Sequence, residues 1–416
     1  MQKKLSKNSS KKAQPEQKEP AAKPPFFSRL HIKPLQVGVA VLFLALFVVA
    51  IILVNRPDPN ETPSSASLKQ YVTGKVTAVI SDNTQTDTWT EGRRIGTQVL
   101  EIKITSGPLK GTELQGTNYA TAYSGIWAKP GTSLVVLLDQ DESGNPIIAS
   151  VYNYNRGVVL IGLLLAFMIL LVVVGGKKGL TSLVGLAFTL VSLWCLLIPL
   201  LRRGLPPVPG TIAFVALAAG VCLYVLTGPT KKTLCALIGC VGGVAAAGLC
   251  VVVVNALAPI NGFNTDEAEA LVLQGQSSGL HISGLLAAGI LISALGGVID
   301  VAMSIASSCN ELLAIDPTMD RRRLFRSGMN IGRDTMGTMA NTLILAFVGS
   351  SLNMLILFQL YAFSYLNIIN SDLIAIELLQ GIGGSIGIVL AVPIVAFCCS
   401  ILMPKPSAAK AKQIAK

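Results

Sequence analysis

Hydrophobic residues gather into eight long runs, near Leu35–Val54, Gly157–Val174, Gly179–Leu201, Pro209–Thr227, Thr233–Leu257, His281–Met303, Met336–Phe363 and Leu378–Met403. A helix needs about 20 apolar residues to cross a bilayer, so each run predicts one transmembrane helix. Only His281–Met303 contains an Asp, Glu, Lys or Arg. Between the first two runs the period changes from a helix's to a strand's. The segments YVTGKVTAVI, TQVLEIKITSG, GTELQGTN, TSLVVLLDQ and NPIIASVYNYN alternate apolar and polar positions, and Gly107–Pro108, Gly111, Pro130–Gly131 and Ser143–Gly144–Asn145 separate them. Five short strands with such turns predict a small β-barrel, OB-like as first choice. The resulting fold class is an α-helical polytopic membrane protein of about eight transmembrane helices. A β-barrel is inserted between helices 1 and 2. The expected domains are a basic tail (1–34), helix 1 (35–54), a β-rich domain (55–156), a seven-helix membrane domain (157–403) and a second basic tail (404–416).

Two polar stripes interrupt the lipid-like sequence. Ser293, Gly296, Asp300, Ser304, Ser307 and Glu311 are three or four residues apart, as are Ser327, Asn330, Asp334, Thr338 and Asn341. Such spacing places each set on one helix face. A polar face is costly in lipid and has to meet protein or water. The candidate site is therefore a polar groove between the sixth and seventh helices, lined by Asp300, Ser304, Ser307, Asn330, Asp334, Thr338 and Asn341. The short link from Ile315 to Arg326 makes these helices antiparallel neighbours and places both motifs in the cytoplasmic half of the membrane, or nearer its middle if the sixth helix starts late. A competing reading has Asp300 and Glu311 at the membrane surface, paired with Arg321–Arg323. Gly284–Leu313 holds no proline and is expected to form one helix of about 45 Å. Gly381–Gly387 and Pro393 are read as close-packing positions or as a break in the last helix.

Composition agrees with the pattern: 51% of residues are hydrophobic, 13% are charged, and the mean hydropathy is +0.61. The net charge of +11 is a matter of topology. Nine Lys/Arg precede the first run, and Lys177, Lys178, Lys231, Lys232, Arg321–Arg323, Arg326, Arg333, Lys405, Lys410, Lys412 and Lys416 fall on alternate links, opposed by Arg202 and Arg203 alone. The positive-inside rule then puts both termini in the cytoplasm and the barrel outside. The first run ends in Asn55, Arg56, Pro57 and Asp58, which suits a signal anchor and not a cleaved signal peptide. The eight cysteines all lie in or beside the spans, so the outer domain is expected to fold without disulfides. Neither His31 nor His281 stands in a metal-like cluster, no nucleotide-binding or nucleophile-elbow motif occurs, and no metal, cofactor or catalytic residue is assigned. The insertion, Arg56 to Arg156, balances nine Lys/Arg against ten Asp/Glu, which argues against nucleic acid. Its Trp89, Trp127, Tyr119 and Tyr123 form either a stacking surface or core and rim.

The run LGGVIDVAMSIASS (Leu295–Ser308), followed by SGMNIGRDTMGTMANTLILAFVGSSL (Ser327–Leu352), resembles the signature of the YibE/F-like bacterial membrane proteins, over roughly Tyr71 to Pro404. The resemblance implies a multi-spanning protein of the bacterial plasma membrane and brings no catalytic residue, cofactor or substrate. The expected function is a gradient-driven transporter or permease whose substrate is a small molecule or ion. The alternative is a non-transporting scaffold, assembly factor or sensor that binds a protein partner or oligomerises through the outer domain. The lipid bilayer is the one partner the sequence requires.

Overall fold

A computed structural model of the chain describes residues 34–56, 69–140, 146–260, 262–263, 265, 268–275 and 279–403. The two basic tails (1–33 and 404–416), the linker (57–68) and the acidic residues Asp266 and Glu267 lie outside the described residues. Helix α1 (Pro34–Val54) is a 21-residue apolar helix that belongs to a unit separate from the rest of the chain.

Six strands follow: β1 (Lys69–Asp82), β2 (Gln85–Thr86), β3 (Arg94–Ile104), β4 (Glu113–Ala120), β5 (Ser133–Gln140) and β6 (Pro146–Tyr154). Strand β1 pairs antiparallel with both β5 and β3, β5 with β6, and β3 with β4, while β6 meets β4 in parallel at Thr117↔Ser150. The ring β1–β5–β6–β4–β3 closes into a five-stranded barrel, and β2 only extends the β3 edge. Strand β1 serves two neighbours because it is bulged between Val76/Ala78 and Val79/Ser81, which bends it around the corner. Val72, Val76, Leu100, Ile102, Ile104, Leu134, Val136 and Leu138 fill the interior from alternate positions.

A polar cluster closes one end of the barrel. Gln98 is fully buried; it donates to Ala128 O (3.2 Å) and accepts from Ala128 N (3.0 Å) and Asn118 Nδ2 (3.0 Å). Trp127 donates to Asp82 Oδ2 (3.1 Å), and its ring lies between Arg94 (4.2 Å) and Lys129 (4.3 Å). Trp127 is thus part of the structure, whereas Trp89 and Tyr123 are 93% and 95% exposed. Asp82 also accepts from Thr84 Oγ1 (2.6 Å), Thr84 N (3.0 Å) and Gln98 (3.1 Å). Hydrogen bonds from Thr84 and then Trp127 hold its carboxyl well below the usual carboxylate range. A depressed carboxyl stabilises the fold above its unfolded pKa, about 4, and that contribution is lost as pH falls towards the native value. Thermal unfolding of a fragment spanning 69–155, followed by circular dichroism, should therefore show a Tm that declines below about pH 4. Asp82→Asn should flatten that decline, and an unchanged pH profile would remove Asp82 from the barrel's acid sensitivity.

The membrane domain begins at α2 (Gly157–Ser192), which runs through a π turn (Leu193–Leu197) into α3 (Ile198–Arg202). Gly176 breaks α2 with φ 55° and ψ −132°, a conformation open to glycine. The second arm folds back so closely that a side chain at Gly179 would strike the Leu171 carbonyl. Then come α4 (Pro207–Thr227), α5 (Lys231–Leu257), the short α6 (Ala268–Gly275), α7 (Leu285–Ile315), α8 (Arg321–Ser350), α9 (Leu352–Leu360), α10 (Tyr365–Ile369) and α11 (Asp372–Leu402). Among the described residues five helices are long and apolar enough to cross a membrane, or six if α8 and α9, bent by 57°, count as one span.

Helix α11 is the axis of the bundle. It runs unbroken through Gly381–Gly387 and Pro393, so the break expected there is not found. The glycines are packing positions. A β-carbon on Gly243 of α5 would lie 2.7 Å from the Gly387 carbonyl and 2.8 Å from Ala391 Cβ, and one on Gly387 would lie 3.0 Å from Ala247 Cβ. Glycine at both places lets α5 and α11 touch backbone to backbone, the means by which helices associate when lipid supplies no hydrophobic drive. On another side of α11, Gly328 and Gly332 of α8 meet Ala396 and Val392, and Leu343 and Ile344 meet Gly384 and Gly381. These pairs run in opposite order, so α8 lies antiparallel to α11 from residue 328 to residue 344.

Candidate functional site

The register fixes the depth of both polar stripes. Asp300 is the central residue of α7, which is continuous over 31 residues and begins only at Leu285. Gly297 packs on Ile388, and Gly332 packs on both Ile305 and Val392. Asp300 is therefore level with α11 between Ile388 and Val392. On α8, Asp334 lies two residues beyond Gly332 and falls at the same level. Asn330, Thr338 and Asn341 lie within the 328–344 stretch that runs along α11. Of the depths expected from sequence, the middle of the helices is the one observed.

Both stripes lie on the exposed faces of their helices. Helix α7 buries Leu291, Val298, Ala302, Ile305 and Cys309 and leaves Ser293, Gly296, Asp300, Ser304 and Glu311 exposed, with Ser307 half-buried. Helix α8 buries Leu324, Gly328 and Gly332 and leaves Asn330, Arg333, Asp334, Gly337, Thr338 and Asn341 exposed. All seven residues expected to line the groove thus stand on two adjacent helices. Six of them are exposed on outward faces and only Ser307 is partly covered. Arg333, counted by charge among the link residues, belongs to the same face of α8. Among the described residues Asp300, Asp334 and Arg333 have no ion-pair partner.

The surface-pairing alternative is not what forms. The arginine cluster at the start of α8 takes its carboxylates from the connecting turn: Arg323 pairs with Asp316 at 3.6 Å, and Asp320 caps the helix by accepting from Arg322 N at 3.3 Å. Thr318 donates to Asp316 through both Oγ1 (2.7 Å) and N (3.1 Å), and these bonds, with Arg323, hold the Asp316 carboxyl below the usual range. Thr338 donates back to Thr335 O (3.0 Å) and Asp334 O (3.3 Å), so its side chain is satisfied within the helix while the Asp334 carboxylate remains free to meet water or solute.

An ionised side chain at the bilayer centre costs about 2.5–3.5 kcal/mol on insertion scales. Two aspartates and an arginine at one depth require water or protein against these faces. Among the described residues no group of three or more His, Cys, Asp or Glu is placed to hold a metal ion.

The family model for YibE/F-like protein matches residues 163–405, and the chain belongs to that family. The match begins inside α2, so the barrel lies outside it, which narrows the resemblance read from the sequence. No curated protein and no solved structure matches the chain.

Proposed function

We propose that this member of the YibE/F-like family is a gradient-driven transporter or permease in the bacterial plasma membrane. Its polar path follows the exposed faces of α7 and α8. One observation carries the reading: Asp300 and Asp334 stand level with each other, half-way along adjacent membrane helices, on faces left exposed among the described residues of the membrane domain. Charged groups at that depth mark substrate or ion pathways far more often than they serve packing. The eight-span topology belongs to the same proposal. Alpha1, the two arms of α2 divided at Gly176, α4, α5, α7, the bent pair α8–α9 and α11 supply eight crossings. Lys231 and Arg321 gather at one end of the bundle and Thr265 and Glu377 at the other, as expected for cytoplasmic and outer ends.

Hydration of the path is testable by thiol labelling in membranes, with the native cysteines replaced. Thr338→Cys should react with a membrane-impermeant reagent at least about tenfold faster than Leu345→Cys, two turns further along α8, because the thiolate forms only in water. Equal, slow labelling of the two would mean a dry face and would remove the path.

A scaffold or sensor role keeps one observation in its favour. Trp89 and Tyr123 project from two loops that Arg93 ties together by donating to Ala122 O at 3.0 Å. The barrel's closed order with its single parallel contact fits an OB-like topology, a fold that presents loops to partners. Deleting the barrel should abolish a scaffold's activity, whereas a carrier's should depend on Asp300.

A further inference from the structure

We propose that Ser351 and Glu377 bind a monovalent metal cation, Na+, at the break between α8 and α9. Ser351 is the hinge residue itself: α8 ends at Ser350, α9 starts at Leu352, and the two axes diverge by 57°. Ser351 is 9% exposed, and its Oγ has no hydrogen-bond partner among the described residues. Glu377, in the second turn of α11, has its Oε2 shielded from solvent and equally without a partner. Buried polar atoms are nearly always satisfied, so two unpartnered oxygens that line the same two hollows call for an occupant. They sit on the wall between two hollows. One is a mostly apolar cavity of about 150 Å³ beneath the bend, bordered by Phe347 and Gly381. The other is an open groove bordered by Thr265, Ser350 and Asn353.

The chemistry selects the ion. A single carboxylate with hydroxyl and amide oxygens is a hard, singly charged donor set. Divalent and transition ions ask for more carboxylates, or for His and Cys. A cation bridging the two oxygens takes both as ligands at once. Broken helices with interrupted backbone are where membrane transporters hold coupling ions, and here the groove gives access from the outer end of the bundle. As a driving-ion site the proposal rests on the transport reading; as a cation site it stands apart from it.

The test is thermal unfolding of the purified full chain in detergent, titrated with NaCl against choline chloride at constant ionic strength. Binding to the folded state alone raises Tm in a saturable way. We expect a rise in NaCl only, with the half-saturating concentration increased at least about tenfold by Glu377→Gln and by Ser351→Ala, a factor equivalent to about 1.4 kcal/mol. Should Glu377→Gln fail to fold, Ser351→Ala decides, since it removes one hydroxyl beside a cavity. No difference between the salts, or a Na+ response kept in both variants, overturns the site. A pH-dependent Tm that Glu377→Gln abolishes, without Na+ selectivity, would show a proton site and overturn it too. Na+ binding without any Na+ dependence of complementation would leave the site standing and count against Na+-driven transport alone.

Discussion

Gly243→Leu should leave no folded membrane domain. The Gly243 position faces the Gly387 carbonyl and Ala391 Cβ at distances that even a methyl group would violate. Neither neighbour is a flexible side-chain end that can rotate away; the contact is backbone against backbone. Overpacking a tight site typically costs 1–3 kcal/mol, and more when the surroundings cannot relax. Here the only relaxation is to separate α5 from α11, which opens the seam lined by Ala236, Cys240, Val244, Ala247, Val392 and Val395. The variant should be found at low abundance, without a monodisperse peak in size-exclusion chromatography. Gly289→Leu is the control: it sits on the exposed face of α7 with open space around it and should behave as the parent. Equal behaviour of the two variants would mean that α5 and α11 do not meet at Gly243.

Asp300→Asn should do the reverse, sparing the fold and removing the activity. Aspartate and asparagine have similar helix propensities, and the substitution deletes a charge from mid-membrane, so insertion and abundance should be equal to the parent's or slightly better. No ion pair is broken, because the structure gives the carboxylate none among the described residues. What is lost is the group able to take a proton or hold a cation half-way across the bilayer. The same argument applies to Asp334→Asn at the same level on α8. Glu311→Gln should change nothing, since Glu311 lies three turns further along α7, about 16 Å from Asp300, at the end that carries the arginines.

Much of this was legible in the chain. The helices, the barrel strands and both polar stripes follow from period and turn residues, and the glycines of α5 and α11 read correctly as packing positions. The depth of the second stripe did not. A search for apolar runs starts that helix at Met336, because the stripe itself lowers the local hydropathy; the structure starts it at Arg321, and Asp334 moves to the centre. Lys177 and Lys178 suggested a link between spans, yet the reversal needs no loop because Gly176 turns the helix directly. Of the two readings of Gly381–Gly387 and Pro393, close packing is the one observed: proline removes one hydrogen bond, and packing of α11 against three helices keeps that helix intact, while the bend at Ser351 is marked by no proline. Glu377 carries a sequence signal of its own, as a lone acid inside the apolar run Leu373–Leu379. Which way a stripe faces depends on partners distant in sequence, and helical period alone does not carry that.

The most direct test of the mid-membrane site is complementation of a deletion strain by the Asp300→Asn, Asp334→Asn double variant at matched membrane abundance. The account predicts a fold and abundance like the parent's and none of the parent's rescue. Full rescue by the double variant would show that the two carboxylates are dispensable and would contradict a polar path along α7 and α8.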